Sequence, residues 1–408
     1  MAFFRTIKNI KNLYGKRVLM RVDFNFTLKD GKPIDSFRLK AIFPTLEFLK
    51  PFRTKLILIS HFGEPKGKFD KKYSLEPIAK WLLNQDKIFQ NLKFIVNPFD
   101  KEGGETIQNL KEGDIALLEN IRFWKGEEEN NPKFAQKLAN FGDIYINEAF
   151  SVSHRAHSSI TGLPKILPSY AGINFENEVN NLNQVLKKYH HPFTLILGGA
   201  KISTKLGLLL NFKNKANFIL IGGAMANTFL KAKGSNIGNS LIEETMLSKA
   251  KEILKQKNLI LPNDVMIKMR NKKIRIIDID KLNDLKHNDF KILDIGPKTI
   301  KKFSDIIKTS KEIIWNGPLG YFEEKPFTQG TVKIIQSILS NKKARITIGG
   351  GETIVCLGQA KVKRPMPNAE NKIFVSTGGG AMLEFLSGKE LPGLIALTKN
   401  KDLVNLNK

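Results

Sequence analysis

Two kinds of short motif carry the chemistry in this chain, and they fall in different halves. In the first half, the residues that follow apolar runs are polar and mostly cationic: Asp23 and Asn25, Ser60 and His61, Asn120 and Arg122, and His154, Arg155 and His157 in SVSHRAHSS. In the second half the matching places are glycines: Gly198 and Gly199, Gly222 and Gly223, Gly317, Gly349 to Gly351, and Gly378 to Gly380. Guanidinium and imidazole groups hold anionic oxygens with side chains. A glycine run ahead of a helix instead lets bare backbone N–H groups approach a phosphate, with the helix N-terminus adding partial positive charge. The pattern predicts one anion site built from side chains and one built from backbone. Any single glycine loop reads equally well as a tight turn with close packing, but the repetition favours a nucleotide polyphosphate. Lys201 and Lys205, four residues apart, share a face if a helix starts there, either as phosphate partners or as a solvated lysine face. His61 alone is also consistent with a hydrogen-bonded structural histidine. Asp23 and Asn25 are consistent with turn caps, and one of His154 and His157 with a residue that only orients the loop carrying Arg155.

These residues need elements that bring them together. Short β-branched or apolar runs alternate with helix-period stretches along the whole chain, the pattern of an α/β protein with parallel sheets. Candidate strands are KRVLMRVDFN, TKLILISHFG, KFIVN, IALLENIRF and DIYINEAF, then FTLILGGAK, FILIGGAM, NLILPNDV, IRIIDI, EIIWNGPLG, RITIGGGE and KIFVSTGGG. Ligands of open parallel sheets sit beyond the carboxyl ends of the strands, where the motifs above fall. Val179, Leu182, Val185 and Leu186 have helical spacing, which predicts a helix over about 174–189 joining a domain of residues 1–173 to one of 174–390.

Composition narrows the function classes. The chain has 408 residues, 41% of them hydrophobic, which excludes a disordered chain and supplies ample material for two or three cores. No apolar run reaches eighteen residues, and lysines and arginines stand where a secretory signal needs an apolar segment. The expectation is a cytoplasmic protein without a membrane partner. The single cysteine, Cys356, excludes a disulfide framework or a cysteine metal site and reads as a buried thiol. The formal net charge of +27 suggests nucleic acid, yet the lysines are scattered in short runs such as MRNKKIRI and KVKRP, without a recognition motif. The charge favours small anionic substrates. Neither a P-loop nor a dinucleotide fingerprint is present.

The motifs RVDFN with FRLKAIFPTL, SHFGEPKG, LLENIRFWKGEEEN, INEAFSVSHRAHSSITG, LGGAKISTKLG, IGGAMANTFLKAKG, LPNDV, DIGPKT, WNGPLGYFE, TIGGGET and VSTGGGAMLEFLSGKELPG occur in this order, and through them the chain resembles phosphoglycerate kinase over essentially its whole length. The resemblance implies two doubly wound, Rossmann-like domains, a hinge-bending monomer, and a C-terminal segment of about 391–408 that returns to the first domain. It implies phosphoryl transfer between 1,3-bisphosphoglycerate and ADP, yielding 3-phosphoglycerate and ATP with Mg²⁺. By position, Asp23, Asn25, Arg38, His61, Arg122 and Arg155 resemble the phosphoglycerate site. Lys201, Lys205, Gly222, Gly223, Asn316, Glu323, Gly350, Thr353 and Gly378 resemble the nucleotide side, with Glu323 toward the ribose and Glu352 toward the metal. In either direction the nucleophile is an oxygen already ionised at neutral pH, so no general base is required. Arg38, Lys201, Gly379 and Gly380 are then expected to stabilise the transferring phosphoryl, each such donor being worth about 3 to 4 kcal/mol.

Three positions depart from the family pattern. Glu64 stands where an arginine is usual, Thr204 where an aspartate is common, and Glu352 where an aspartate associates with the metal. Glu352 keeps the carboxylate. Glu64 repels a nearby phosphate unless it turns outward or pairs with a neighbour such as Lys66 or Lys68. The rival readings are a catalytically impaired relative acting as a nucleotide-binding protein, a nucleic-acid binder, and a kinase for a different carboxylate.

Overall fold

In the computed structural model, which describes residues 4–26, 28–29, 32–33, 37–285, 288–359 and 372–405, the chain divides into two units. Residues up to Asn180 group with those from Glu390 onward, and Asn181 to Lys389 form the other unit. The division falls inside a helix, Ile173–Lys187, that covers most of the span anticipated from its apolar spacing. The basic run KVKRP lies outside the described residues.

The first unit is built on strands β1 (Arg17–Arg21), β2 (Lys55–Ile59), β3 (Lys93–Ile95), β4 (Ile115–Leu118), β5 (Ile144–Asn147) and β6 (Ser169–Ala171). All pairings are parallel, in the order β3-β4-β2-β1-β5-β6. Both faces are covered, so the strands are apolar without alternation. Val18, Met20, Leu56 and Leu58 enter one core, while Leu19, Ile57, Ile59 and Leu118 enter the other. Each such side chain contributes about 1.5–3 kcal/mol through burial. Strand order reverses between β1 and β5, so the β1, β2, β4 and β5 carboxyl ends converge at a switch point. Helix α1 (Phe37–Leu49) supplies Arg38 from its first turn. The C-terminal helix, Pro392–Asn405, packs within this unit: Asn400 accepts from the Ser169 N–H at 2.8 Å and donates to the Leu167 carbonyl at 2.9 Å.

The second unit contains β7 (Phe193–Leu197), β8 (Phe218–Ile221), β9 (Leu259–Ile260), β13 (Glu312–Asn316), β14 (Arg345–Gly349) and β15 (Ile373–Val375), parallel in the order β9-β8-β7-β13-β14-β15. Between β9 and β13 in sequence lies a separate sheet of β10 (Asp264–Met269), β11 (Ile274–Asp278) and β12 (Phe290–Ile295), in the order β11-β10-β12. Its pairings are antiparallel, which corrects the expectation of parallel sheets throughout. The physical reason is connection length: the few residues between β10 and β11 permit a reversal but no crossover helix. IRIIDI was legible as a strand, but β10, β12 and the short edge strand β6 were not.

Candidate active site

In the first unit the residues beyond the strand ends form a dense polar cluster. Arg38 Nη1 lies 3.1 Å from Asp23 Oδ2 and donates to the Asn25 carbonyl at 2.7 Å. Asp23 also accepts from the Asn25 N–H at 2.9 Å and from the Ser151 hydroxyl. The turn-capping alternative for Asp23 is therefore part of its role, and the same carboxylate aims Arg38. Asn25 Oδ1 accepts from the Gly63 N–H at 3.0 Å, tying the loop after β1 to the loop after β2. Arg122 is buried and donates to the Gly63 carbonyl at 2.8 Å, with Glu128 at 3.4 Å from its Nε. Burial and the charges of Arg155 and Arg21 lower its guanidinium to about 10.

His61 is buried beside four guanidiniums, those of Arg21, Arg122, Arg38 and Arg155, and desolvation together with their charges pushes its imidazole well below the usual range. His157 behaves alike, lowered to about 3 mainly by burial, and its Nδ1 lies 3.8 Å from Glu127 Oε1. It faces the buried support of the cluster. Of the alternatives for Glu64, it turns outward and also pairs, and its partner is Arg155 Nη2, at 3.4 Å. Lys66 has a positive φ of 56°, in the turn that carries the chain past that position. Sequence reasoning left out Arg21, Glu127, Ser151 and Ser159. The available signal was charged residues inside otherwise apolar or core-facing stretches, Arg21 at the end of RVLMR above all.

The second unit holds a cavity of about 1040 Å³. Gly199, Gly223, Glu323 and Glu352 line it on the side of the parallel sheet, and Lys268, Asp294 and Leu241 belong to the opposite wall and rim. That wall is largely the antiparallel sheet, which explains why sequence reasoning missed its residues. Burial raises the Asp294 carboxyl to about 7, against two backbone N–H donors from Gly330 and Ile295.

Lys201 and Lys205 do not share a helical face. The helix begins only at Leu206, and residues 201–205 form a turn in which Thr204 donates to the Lys201 carbonyl at 3.0 Å. The turn replaces the helix start because this hydroxyl takes a carbonyl oxygen locally. Lys201 is exposed and Lys205 is buried, with burial lowering its ammonium and Glu352 opposing that shift. A side chain built on Gly199 would meet Lys205 Nζ at 3.2 Å and Glu352 Oε2 at 3.9 Å, so these two charges flank one point.

Most of the glycine amides are already committed. Gly198, Gly199, Gly222 and Gly223 donate to the carbonyls of Asn316, Pro318, Leu197 and Leu319 at 2.7–3.0 Å. A Cβ on Gly198 would stand 2.1 Å from the Pro318 oxygen, and one on Gly223 would stand 2.6 Å from the Gly199 nitrogen. These glycines therefore allow three backbone segments to close-pack, and their N–H groups are not free for a phosphate. Gly378 also donates inward, to Ser376 Oγ at 3.0 Å.

Gly379 differs: it has φ 50° and ψ −116° at the start of the helix Gly380–Leu386, and open space where a side chain would be. Gly350, with φ 100°, sits beside Asn316 and Thr353. Thr353 Oγ1 accepts from the Gly317 N–H at 2.8 Å, whereas Asn316 Nδ2 is buried with no acceptor among the described residues. A buried donor left unpaired costs about 1–3 kcal/mol, which a ligand acceptor offsets. Cys356 is buried, its thiol pushed up to about 12 chiefly by burial.

The family model described as phosphoglycerate kinase matches residues 7–389. The chain is 42% identical to the phosphoglycerate kinase of Pseudothermotoga lettingae over 405 residues, 97% of this chain and 99% of the relative. It is 42% identical to that of Coprothermobacter proteolyticus over 389 residues, covering 94% and 96%. Among solved structures, phosphoglycerate kinase from Pyrococcus horikoshii OT3 matches with a TM-score of 0.85 at 30% identity over 98% of this chain and 100% of that one. The structure from Coxiella burnetii matches with a TM-score of 0.79 at 33% identity, covering 97% and 99%.

Proposed function

The chain belongs to the phosphoglycerate kinase family, and from that membership we propose how its residues divide the work of the reaction. It is a phosphotransferase with a carboxyl group as acceptor, interconverting 1,3-bisphosphoglycerate and ADP with 3-phosphoglycerate and ATP. The first unit holds the phosphoglycerate: Arg122, Arg155 and His61 take its phosphate, Asp23 accepts from its hydroxyl, and Asn25 and Arg38 donate to its carboxylate end. The second unit holds the nucleotide in its cavity, with Glu323 at the ribose. Lys205, Asn316, Gly350 and Thr353 stand on the phosphate side, and Gly222, Gly223 and Gly378 shape the backbone behind it.

The observation that carries this reading is the pair of orphaned or like-charged groups at the two strand rims. The charges of four guanidiniums bear on His61 in one unit, and in the other a buried Asn316 amide finds no acceptor among the described residues. Both conditions are relieved by anionic oxygens. Arg38, Lys201 and the N–H groups of Gly379 and Gly380 then stabilise charge on the transferring phosphoryl.

No group of three or more His, Cys, Asp or Glu among the described residues is placed to hold a metal ion alone. Glu352 is exposed, close to Lys205 Nζ across Gly199. This donor set fits a cation that arrives on the nucleotide phosphates and keeps much of its water, as Mg²⁺ does. The metal would supply charge neutralisation to those phosphates, and Glu352 would hold it directly or through water. We further read the chain as a cytoplasmic monomer without a specific nucleic-acid or membrane partner; none of its described helices is long and apolar enough to cross a membrane.

A coupled assay with 3-phosphoglycerate and MgATP, run beside Arg38→Ala, tests the assignment. Turnover by the parent and a loss in kcat of about 10²–10³ in the variant are expected. Undiminished kcat in Arg38→Ala would remove Arg38 from the transfer step.

A further inference from the structure

Beneath the anion cluster lies a buried assembly that ligand contacts do not account for. Arg21, the last residue of β1, is fully buried. Its Nε donates to Ser159 Oγ at 3.0 Å, its Nη1 to the Val22 carbonyl at 2.5 Å, and its Nη2 lies 3.1 Å from His61 Nδ1. Ser159 is itself fixed, donating from Oγ to Glu127 Oε1 at 2.5 Å and from its N–H to Glu127 Oε2 at 2.8 Å. The Tyr145 hydroxyl donates to the Ser159 carbonyl at 2.5 Å. The guanidinium is thus held in one orientation from three sides.

A guanidinium offers only donors. The Arg21–His61 contact therefore has one possible polarity, with Nδ1 accepting, and the ring proton belongs on Nε2. The charged and titratable groups around the ring are Arg21 at the end of β1 and Asp23 just beyond it, Arg38 on α1, Arg122 after β4 and Arg155 after β5, with Glu127 behind Ser159 and His157 beside it, and with Glu64 and Glu128 paired to Arg155 and Arg122. The charges of four arginines act against a further proton on the ring, and a proton on Nδ1 would have to break the Arg21 bond.

We propose that Arg21 is a positioning residue for the phosphoglycerate site, holding His61 as the neutral tautomer protonated on Nε2, a directional donor to an anionic oxygen that does not convert to imidazolium. This rests on the reading of His61 as a substrate-binding residue and deepens it. The four arginines supply fixed positive charge, and His61 supplies a hydrogen bond whose strength does not switch with pH. The downward shift of the imidazole runs in the same direction.

The test is a long-range ¹H–¹⁵N correlation spectrum of the full, ¹⁵N-labelled chain, with His61 identified among the six histidines by its loss in His61→Gln. The Nε2–H pattern is expected from pH 8 down to about 5.5, below the usual histidine midpoint. A proton on Nδ1, or protonation with a midpoint near 6 to 7, overturns the proposal. Arg21→Lys keeps a charge near Glu127 but cannot serve three acceptors in a fixed fork. In that variant a mixture of tautomers should appear, with KM for 3-phosphoglycerate rising about tenfold, as for one lost charged hydrogen bond, and kcat falling by much less. A folded Arg21→Lys chain with the parent's His61 spectrum also overturns the proposal; if it does not fold, the parent spectrum decides alone. An unchanged KM in His61→Leu would instead overturn the substrate-binding reading, leaving the tautomer result standing, so the two failures are separable.

Discussion

Glu64 is the residue at which this chain's anion site differs most from its family pattern. Its carboxylate reaches Arg155 across 3.4 Å, and its side chain is 64% exposed. An ion pair this exposed is worth little in stability, at most about 1 kcal/mol. For binding it matters more, because a substrate phosphate must share Arg155 with a carboxylate that repels it. Replacing Glu64 by arginine is expected to lower KM for 3-phosphoglycerate several-fold, by about 1 kcal/mol of relieved repulsion, with kcat changing less. An unchanged KM would show that Glu64 has no influence on the phosphate. Thr204, another departure, has a structural use here, since its hydroxyl closes the turn over the Lys201 carbonyl.

Elements set where these side chains stand, and two of them give measurable consequences. The helix Ile173–Lys187 begins on Glu148, whose buried carboxyl group accepts from Thr45 Oγ1 at 2.5 Å and from the N–H groups of Asn174 and Phe175 at 3.1 and 3.2 Å. Glu148→Ala would remove the acceptor that these three groups share and should cost about 2 kcal/mol, read as a lower urea midpoint. The second consequence separates the glycines. Gly223 has φ 64° and backbone atoms of Gly199 and Pro318 within 2.6–2.8 Å of a would-be Cβ, whereas Gly379 has φ 50° and open space. Gly223→Ala should therefore lower Tm clearly more than Gly379→Ala, which pays only backbone strain of about 1–3 kcal/mol. Gly379→Ala should act mainly on kcat. The opposite order of Tm values would reject the close-packing role of the Gly222–Gly223 turn.

At the scale of the molecule, buried titratable groups shape stability against pH. Burial raises Glu148 to about 8 and Asp294 to about 7, so in the folded state they keep protons that the unfolded chain releases near pH 4 to 5. Stability from these two groups is present below that range and declines as pH rises toward 8. His61 and His157 are lowered, so the unfolded chain binds more protons below about 6.5 and stability falls on the acid side. The two pairs oppose one another between about pH 5 and 6.5, and only the carboxyls still titrate above pH 7. Tm is expected to fall as pH rises from 7 and to level off near pH 9, stability dropping by up to about 1.4 kcal/mol per pH unit for each group that still holds its proton in the folded state. Glu148→Gln should flatten that fall in melts of the first unit; an equally steep fall would show that other groups govern it.

The sequence by itself determined the α/β class, most strands of the parallel sheets, the placing of side-chain chemistry in the first half and glycines in the second, and the family. Those features are local: apolar runs long enough for strands, helix-period spacing, and residue types at strand ends, all readable without knowing what packs on what. Tertiary structure decided the rest. Whether a glycine amide is free depends on which backbone segment lies against it, and Gly198, Gly199, Gly222 and Gly223 turned out to donate to the carbonyls of Asn316, Pro318, Leu197 and Leu319. Likewise the Arg155 partner of Glu64 is 91 residues away, and the Arg21 contact to His61 spans 40, distances over which sequence spacing says nothing about direction.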